Sequence, residues 1–219
     1  MIATTDLGVR FPDGSGLRYA DLEFESGRTY ALLGASGCGK STLLNLLAGI
    51  LSPTEGSVTI DGETVSAWSQ RQRDAYRIAS IGYIFQDFKL LEDMTVQDNI
   101  DLLRLEGVDT RGMDALLDRL GILRLKKRRV KGLSGGEQQR VAIARALIKK
   151  HRIILADEPT GNLNFETGEA VVRQLIENAG EGTLIAVTHD DRLAPRFDRV
   201  LDMNAIARYE AGREAMDRA

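Results

Sequence analysis

The chain has little of several features that mark special classes of protein. Cys38 is its only cysteine, so no internal disulfide bond can form and we expect a reducing compartment. The longest apolar stretch, residues 43–51, is far shorter than the roughly 20 residues that cross a bilayer. The first residues lack the basic and apolar regions of a signal peptide. We therefore expect a soluble protein, with any membrane role coming through a partner.

An excess of charge of one sign is also missing. The chain has 29 basic and 32 acidic residues, mixed along its length, and a net charge of −3. Because nucleic-acid binding needs a basic surface, we expect no nucleic-acid partner. The hydrophobic fraction of 43% and the charged fraction of 28% are those of a globular protein with a core. At 219 residues we expect a single domain, 1–219, with room for an inserted sub-domain.

Two segments place glycines and a hydroxyl at the start of a helical run. The first matches the pattern G-x-x-x-x-G-K-[ST] and is Gly34-Ala35-Ser36-Gly37-Cys38-Gly39-Lys40-Ser41. Backbone N–H groups of such a loop surround phosphates, Lys40 reaches the terminal phosphates, and Ser41 offers its hydroxyl to Mg²⁺. Ser36 and Thr42 can add hydrogen bonds to the nucleotide. Cys38, between two glycines, fits a space-filling role.

The second segment lies far along the chain and precedes another apolar helical run. Its residues are Leu133-Ser134-Gly135-Gly136-Glu137-Gln138-Gln139-Arg140. Unsatisfied backbone N–H groups and the positive end of a helix dipole meet there, which predicts a second anion site. One nucleotide rarely needs two such helix ends from one small domain. We therefore predict that two copies of the chain share two nucleotides.

Carboxylates and a histidine follow two buried strands. Asp157 and Glu158 come directly after four apolar residues, and His189 ends the next apolar strand. At the carboxyl edge of a parallel sheet, Asp157 is placed to hold Mg²⁺ and Glu158 to act as general base toward a water. His189 would lie near the γ-phosphate. Gln86, after an earlier strand, can reach Mg²⁺ or the water, and Lys40 completes the predicted catalytic set.

The hydrophobic pattern predicts an α/β fold of the phosphate-loop type. Alternating apolar residues around the turn 12–16 indicate an antiparallel hairpin. Continuous apolar strands then alternate with helices, which is typical of a mostly parallel sheet with helices on both faces. From about residue 88 the spacing becomes helical. We predict a core with an antiparallel β edge, formed by 1–87 and 151–219, and an inserted helical sub-domain over 88–150.

In order and spacing, these motifs resemble those of the ATP-binding-cassette (ABC) ATPases along essentially the whole chain. The signature segment 133–140 is more specific than the phosphate loop, which many nucleotide hydrolases share. The resemblance implies ATP hydrolysis, with ATP and Mg²⁺ as cofactors, in a head-to-tail homodimer. In that dimer Ser134, Gly135 and Gly136 bind the nucleotide of the other subunit. An aromatic residue in the first strand of this family stacks on adenine. Phe11 is the match, with a place in the hairpin core as the alternative.

Three stretches, residues 85–91, 95–100 and 159–163, resemble one bacterial branch of the family. It includes the ATPases of lipoprotein-release, macrolide-export, antimicrobial-peptide-export and cell-division complexes. The resemblance implies an integral-membrane permease subunit as partner and a cytoplasmic, peripheral location at the inner face of the cell membrane. The expected role is export or mechanical extraction of a lipoprotein, peptide or drug-like substrate. The alternative is a regulatory ATPase that gates its membrane partner without transport.

Two features depart from the family pattern. Asn164 stands where an aspartate is usual, and its side chain loses the charge while it keeps the shape. We predict that ATP binding is retained and that hydrolysis is slower or less tightly coupled. Residues 205–219, which are rich in alanine, arginine and glutamate, predict an exposed helix where the family commonly continues with another strand.

Overall fold

The computed structural model describes residues 1–149, 151–161 and 163–211, and its strands form two sheets. The apolar strands predicted for the core are present. In chain order the strands are β1 (Ile2–Arg10), β2 (Gly16–Tyr19), β3 (Leu22–Phe24), β4 (Thr29–Leu33), β5 (Glu55–Ile60), β6 (Glu63–Thr64), β7 (Ile81–Ile84), β8 (Ile153–Asp157), β9 (Thr183–Thr188), β10 (Arg199–Asp202) and β11 (Ala207–Glu210).

Helices alternate with the strands of the core and fill the region between β7 and β8. They are α1 (Lys40–Leu47), α2 (Gln70–Ser80), α3 (Val96–Asp101), α4 (Met113–Arg119), α5 (Gly135–Leu147), α6 (Phe165–Ala179) and α7 (Met203–Ile206). Short 3₁₀ turns lie at Val65–Ala67, Leu102–Glu106, Leu123–Leu125, Val130–Gly132 and Ala194–Arg196. In the described residues, no helix has the length and apolar character that a membrane span requires.

The central sheet is parallel, in the order β10-β4-β9-β8-β7. Alternate residues of β8 belong to two different cores. Ile154 and Ala156 pack with residues of α5 and α6, whereas Ile153 and Leu155 pack with residues of α1. Both faces are therefore covered, and this is why the strand is a continuous apolar run rather than an alternating one. The predicted α/β fold is confirmed.

The second sheet is antiparallel, in the order β11-β2-β1-β5-β6, with β3 also paired to β1. The predicted initial hairpin is formed by β1 and β2, with Val9 opposite Leu17. The inward residues of these strands are buried with those of α1. The antiparallel sheet thus covers the phosphate loop and α1 from one side.

The region between β7 and β8 contains α3, α4 and α5, whose apolar residues form one core with α6. The segment that follows β7 is held to α5, because Arg145 donates a hydrogen bond to the carbonyl of Phe88 at 2.7 Å. A single antiparallel bridge joins Thr95 to Arg129. The domain bounds 88–150 and 1–219 stay predictions.

The end of the chain differs from the expectation. The predicted helix over 205–219 is wrong for Ala207–Glu210, which form β11 and pair with β2. The residues of this segment favour a helix by composition. They form a strand because the free edge of β2 provides backbone hydrogen-bond partners for it. The last predicted residues, 212–219, lie outside the described residues. Helix α2 has no fully buried residue, so it gave little apolar signal in the sequence.

Candidate nucleotide site

A cavity of about 740 Å³ opens at the carboxyl ends of β4, β8 and β9. This is the edge at which open α/β sheets bind ligands. One end of the cavity is polar and the other is apolar. Among the residues predicted from the phosphate loop, those that line it are Ser36, Gly37, Gly39, Lys40, Ser41 and Thr42.

Gly39 is the N-cap of helix α1; it has a φ of 97° and makes no side-chain cap. A Cβ at this position would lie 2.9 Å from the Tyr19 hydroxyl, so both the backbone angle and the space require glycine. The Tyr19 hydroxyl donates a hydrogen bond to the carbonyl of Gly39 at 2.8 Å. The first turn of α1 is therefore anchored to β2, and its N–H groups are left for an anion.

The other residues of the loop pack behind it. A Cβ at Gly34 would lie 2.8 Å from both the Cys38 Sγ and the Met203 Cβ. Cys38 is partly buried against the core around α1, which fits the predicted space-filling role. Gly34, Ala35 and Cys38 are absent from the described residues that line the cavity.

Lys40 is buried and lies between the loop and the catalytic carboxylate candidate. Its Nζ donates hydrogen bonds to the carbonyls of Gly34 at 2.6 Å and Ala35 at 2.9 Å. The same Nζ lies 3.9 Å from Glu158 Oε1. A buried ammonium with these three neighbours is held at the polar end of the cavity.

Asp157 is the last residue of β8, and it is only 6% exposed. Its Oδ1 is buried without a hydrogen-bond partner among the described residues. Burial raises the pKa of Asp157, and a hydrogen bond with the Ser41 side chain opposes that shift. An orphaned carboxylate oxygen beside a hydroxyl fits a divalent cation that is bound mainly by oxygen ligands.

Gln86 also lines the cavity, on the side of Ser41 and Asp157. The described residues contain no cluster of three or more histidine, cysteine, aspartate or glutamate side chains that could hold a metal ion. Mg²⁺ does not need such a cluster, because it usually keeps waters and takes substrate phosphates as ligands. The donors present therefore fit Mg²⁺ bound together with a nucleotide.

Glu158 has a φ of 50°, in the left-handed region that a non-glycine residue seldom adopts. Its N–H donates to the carbonyl of Val187 at 3.1 Å. Its carbonyl accepts from the N–H of Gly161 at 3.2 Å and from Gln139 Nε2 at 3.0 Å. Its Oε2 lies 2.8 Å from Nδ1 of His189. The surrounding backbone thus fixes a strained residue whose carboxylate faces both Lys40 and His189.

Gln139 was not predicted as a site residue. It is 2% exposed and lies in the first turns of α5, from which its side chain reaches the backbone of Glu158. Its position inside the signature segment gave no sign of this contact, because the contact joins residues 19 positions apart. Gln139 thus links the signature helix to the backbone of the residue that carries the carboxylate.

The signature residues Ser134, Gly135 and Gly136 do not appear among the described residues that line this cavity. Ser134 is the N-cap of α5 and forms a capping box with Glu137. Its N–H donates to Glu137 Oε2 at 2.9 Å, and its hydroxyl accepts from the Glu137 N–H at 3.4 Å. Ser134 and Gly135 are exposed, so this helix end faces away from the chain's own nucleotide cavity.

The apolar end of the cavity is formed by Phe11, Leu17 and Tyr209. Phe11 comes directly after β1 and is partly buried against the core. Tyr209 was missed because the sequence predicted a helix there. The cavity therefore has an apolar mouth and a polar base, as an amphiphilic ligand with a flat ring and phosphates requires.

Two further residues have local roles. Asn164 is the N-cap of α6, and its Oδ1 accepts a hydrogen bond from the N–H of Thr167 at 2.9 Å. His151, which received no predicted role, is buried and does not appear among the described residues that line the nucleotide cavity. Burial lowers its pKa to about 4.

A strand, a glycine loop and a helix, with two carboxylates at the end of a second strand that lies two places away in the parallel sheet, define a phosphate-loop nucleotide hydrolase. The family model described as ABC transporter matches residues 17–161. The chain belongs to this family. It is the ATP-binding ATPase subunit of an ABC transporter, as the motifs predicted.

Curated relatives and solved structures are similar over most of the chain. The lipoprotein-releasing system ATP-binding protein LolD of Xanthomonas euvesicatoria is 42% identical over 203 residues, which cover 90% of this chain and 82% of LolD. The macrolide export ATP-binding/permease protein MacB 1/2 of Paracoccus denitrificans is 40% identical over 93% of this chain and 32% of its own length. The dimeric, post-hydrolysis structure of the ATP-binding cassette MJ0796, bound to ADP and Pi, is 31% identical with a TM-score of 0.82. That match covers 92% of this chain and 94% of MJ0796.

Proposed function

We propose that two copies of this chain close on two molecules of Mg·ATP and that hydrolysis drives a separate membrane protein. The observation that carries the proposal is the placement of the Glu158 carboxylate. It faces Lys40 on one side and His189 on the other, and Asp157 precedes it at the polar end of the cavity. This arrangement matches the needs of phosphoryl transfer to water, which are positioning and charge stabilisation.

Lys40 binds the terminal phosphates in this proposal. Its ammonium now donates to two carbonyls of the loop, and phosphate oxygens are stronger acceptors because they are charged. The N–H groups at the start of α1 add the positive end of the helix dipole. The loop therefore supplies a fixed positive field without a large rearrangement.

Mg²⁺ would be held by Ser41, Gln86 and Asp157. The main support is the buried Asp157 Oδ1, which has no hydrogen-bond partner among the described residues. When bound, Mg²⁺ neutralises charge on the β- and γ-phosphates. Burial raises the pKa of Asp157, and the positive charge of a bound cation would oppose that shift.

Glu158 acts as the general base. A water attacks the γ-phosphorus, Glu158 takes a proton from that water, and the bond from γ-phosphorus to the bridging oxygen of ADP breaks. Nδ1 of His189 lies 2.8 Å from the Glu158 carboxylate, so the imidazole orients the base, and it would contact the γ-phosphate of bound ATP. The left-handed backbone at Glu158 fixes the direction of the carboxylate.

The second subunit supplies the signature residues. Ser134 and Gly135 are exposed at a helix N-terminus, and they do not appear among the described residues that line the cavity of their own chain. Their contact with the nucleotide of a partner subunit explains both facts. The dimeric state of the MJ0796 cassette, which shares this fold, supports the same arrangement.

The membrane partner is an integral-membrane permease subunit, and the role is export or mechanical extraction. Support comes from similarity to a lipoprotein-releasing ATP-binding protein and to a macrolide export ATP-binding/permease protein. The segment after Gln86 would receive the cytoplasmic side of this partner. Phe88 and Lys89 have positive φ values there, so the chain turns sharply, with Lys89 exposed and Phe88 half-buried. In this proposal the chain lies at the inner face of the membrane, bound to that partner.

Replacement of Glu158 by glutamine tests the proposal. Glu158→Gln removes the base but keeps the side-chain size, so the ATPase rate should fall at least about 100-fold. The variant should form a dimer at saturating Mg·ATP, measured by size-exclusion chromatography with light scattering. The double variant Lys40→Ala/Glu158→Gln is the matched control and should stay monomeric. A Glu158→Gln chain that binds ATP and remains monomeric would overturn the shared-site proposal.

A further inference from the structure

We propose that Tyr209, in strand β11, contacts the nucleobase together with Phe11. The inference rests on the proposed placement of the nucleotide in this cavity. It goes beyond that proposal because it gives a binding role to the end of the chain. Tyr209 lines the cavity together with Phe11 and Leu17 and is 66% exposed.

The position of the ring follows from strand register. Tyr209 lies directly opposite Leu17 in the β2–β11 pair, and Leu17 lies opposite Val9 in the β1–β2 pair. Directly paired residues project from the same face of a sheet. Leu17 faces the phosphate loop, since a Cβ at Gly39 would meet its Cδ1 at 3.0 Å. The ring of Tyr209 is therefore on the loop-facing side.

The neighbouring residues of β11 project from the opposite face. Arg208 lies opposite Arg18, and Glu210 accepts a hydrogen bond from Arg18 Nε at 2.8 Å. Glu210 also lies 3.4 Å from Arg10, and Arg10 and Arg18 each form an ion pair with Glu55. Single exposed ion pairs contribute little, but a network of four charges favours one register. The network fixes β11 so that Tyr209, and not its neighbours, reaches the cavity.

The end of the chain meets the phosphate loop at a second point. Met203, in α7, is fully buried, and its Cβ would lie 2.8 Å from a Cβ placed on Gly34. The backbone N–H of Ala20 donates to the carbonyl of Ile206 at 2.8 Å. Met203 and Ile206 thus hold the segment before Tyr209, and Glu210 holds it after Tyr209 through Arg18, so the position of the tyrosine over the cavity is fixed from both sides.

The chemistry of this end suits a purine ring. Phe11 and Tyr209 offer two aromatic faces, and Leu17 offers an apolar floor. Stacking of a base on an aromatic side chain contributes about 1–3 kcal/mol and tolerates every base. A bound base would also cover the exposed ring of Tyr209. The segment after β10 therefore belongs to the nucleotide site.

Equilibrium titration of the full chain with ADP tests the inference, because ADP carries the base and cannot be hydrolysed at a γ-phosphate. Tyr209→Ala should raise the Kd for ADP about tenfold, which corresponds to about 1.4 kcal/mol. Tyr209→Phe keeps the ring and should change the Kd by less than about twofold, a small fraction of a stacking contribution. Arg208→Ala, on the same strand but the opposite face, is the matched control and should bind ADP as the wild type does.

Inorganic tripolyphosphate separates base contact from damage to the phosphate loop. Competition against ADP gives the Kd for tripolyphosphate once the Kd for ADP of each variant is known. The Kd for tripolyphosphate should be the same in the wild type and in Tyr209→Ala. Equal weakening of tripolyphosphate and ADP would overturn the inference, and so would an unchanged Kd for ADP in Tyr209→Ala. A wild-type chain that fails to bind ADP would overturn the proposed function as well, so the two failures are distinguishable.

Discussion

Two helices of this chain begin in glycine-rich segments, and their first turns differ in what satisfies the backbone N–H groups. Helix α1 begins at Gly39 with no side-chain cap and no acidic residue in its first turn. Helix α5 begins at Ser134 with a capping box and the carboxylate of Glu137. The N-terminus of α1 therefore offers unpaired N–H donors to a phosphate. At the N-terminus of α5, Ser134 and Glu137 already accept hydrogen bonds from some of these N–H groups.

The charge of Glu137 makes the N-termini of α1 and α5 differ further in their attraction for an anion. The pKa of Glu137 is lowered, first by hydrogen bonding to the Ser134 backbone N–H and then by bonding to its hydroxyl, so this carboxylate is ionised at neutral pH. A negative charge at a helix N-terminus partly neutralises the dipole that would attract an anion. We infer that α1 binds phosphates alone, and that α5 contributes only when a partner brings a nucleotide to Ser134.

The largest effect is expected at α1. Lys40→Ala removes a buried ammonium whose charge-assisted hydrogen bonds contribute about 1.5–3 kcal/mol each, so the Kd for ATP should rise about 100-fold. Isothermal titration calorimetry measures this directly. Thermal unfolding is the control, since a loss of binding in a chain that melts far below the wild type would reflect misfolding. An unchanged Kd would show that Lys40 serves the loop and not the nucleotide.

At α5, Ser134→Ala should leave the ATP affinity of the monomer unchanged. The ATPase rate at saturating ATP should fall about 30-fold, as expected for loss of a transition-state donor. The variant also loses a cap, which costs about 1 kcal/mol of stability. Ser134→Asp restores the cap but places a negative charge toward the phosphate, so it should recover stability and not activity. Recovery of activity by Ser134→Asp would mean that the serine acts only as a cap.

Gln139 connects α5 to the residue that faces Lys40, because its Nε2 donates a hydrogen bond to the carbonyl of Glu158. Gln139→Met keeps the size and removes this bond, so the Glu158 carboxylate should be less well positioned. We expect kcat to fall about tenfold with an unchanged Kd for ATP. Gln138→Met, whose amide contacts Val130 and Leu133 instead, is the control. Equal loss of kcat in both variants would contradict the positioning role.

The smallest effect is expected at Asn164. Both asparagine and aspartate cap helices well, so Asn164→Asp should not change the melting temperature. In the proposed dimer the added charge would lie at the interface, and an exposed charge interaction of less than about 1 kcal/mol corresponds to roughly a threefold faster ATPase. Steady-state ATPase assays over a range of ATP concentrations measure the rate and its cooperativity. If neither changes, the predicted slow hydrolysis does not arise from this residue.

The chemistry of the site was predictable wherever it depends on residues close together in sequence. The phosphate loop requires glycines and a lysine at fixed spacing, and an apolar run before Asp157 and Glu158 requires a buried strand. Such patterns can be read without knowing the fold. The contact of Gln139 with Glu158 was not predictable, because a glutamine in a polar helix start has many possible partners.

Tyr209 illustrates the same limit at the end of the chain. Alanine, arginine and glutamate around it favour helix in isolation, and they predicted one wrongly. The open edge of β2 and the arginine–glutamate network selected a strand instead, and the register of that strand brought the ring to the cavity. Both decisions depend on contacts more than 180 residues apart in sequence, such as Arg18 with Glu210 at a separation of 192.

Local spacing in the sequence is enough to predict the fold class, the family and the order of the motifs, because it sets which backbone N–H groups and side chains meet at one strand–loop–helix unit. That α1 is uncapped while α5 caps itself follows from the folded conformation, since the cap depends on how Ser134 and Glu137 are placed. The tertiary structure also decided which distant residues complete the cavity. Pairing of β11 with β2 and packing of α5 beneath Glu158 are long-range contacts, and no local pattern encodes their partners.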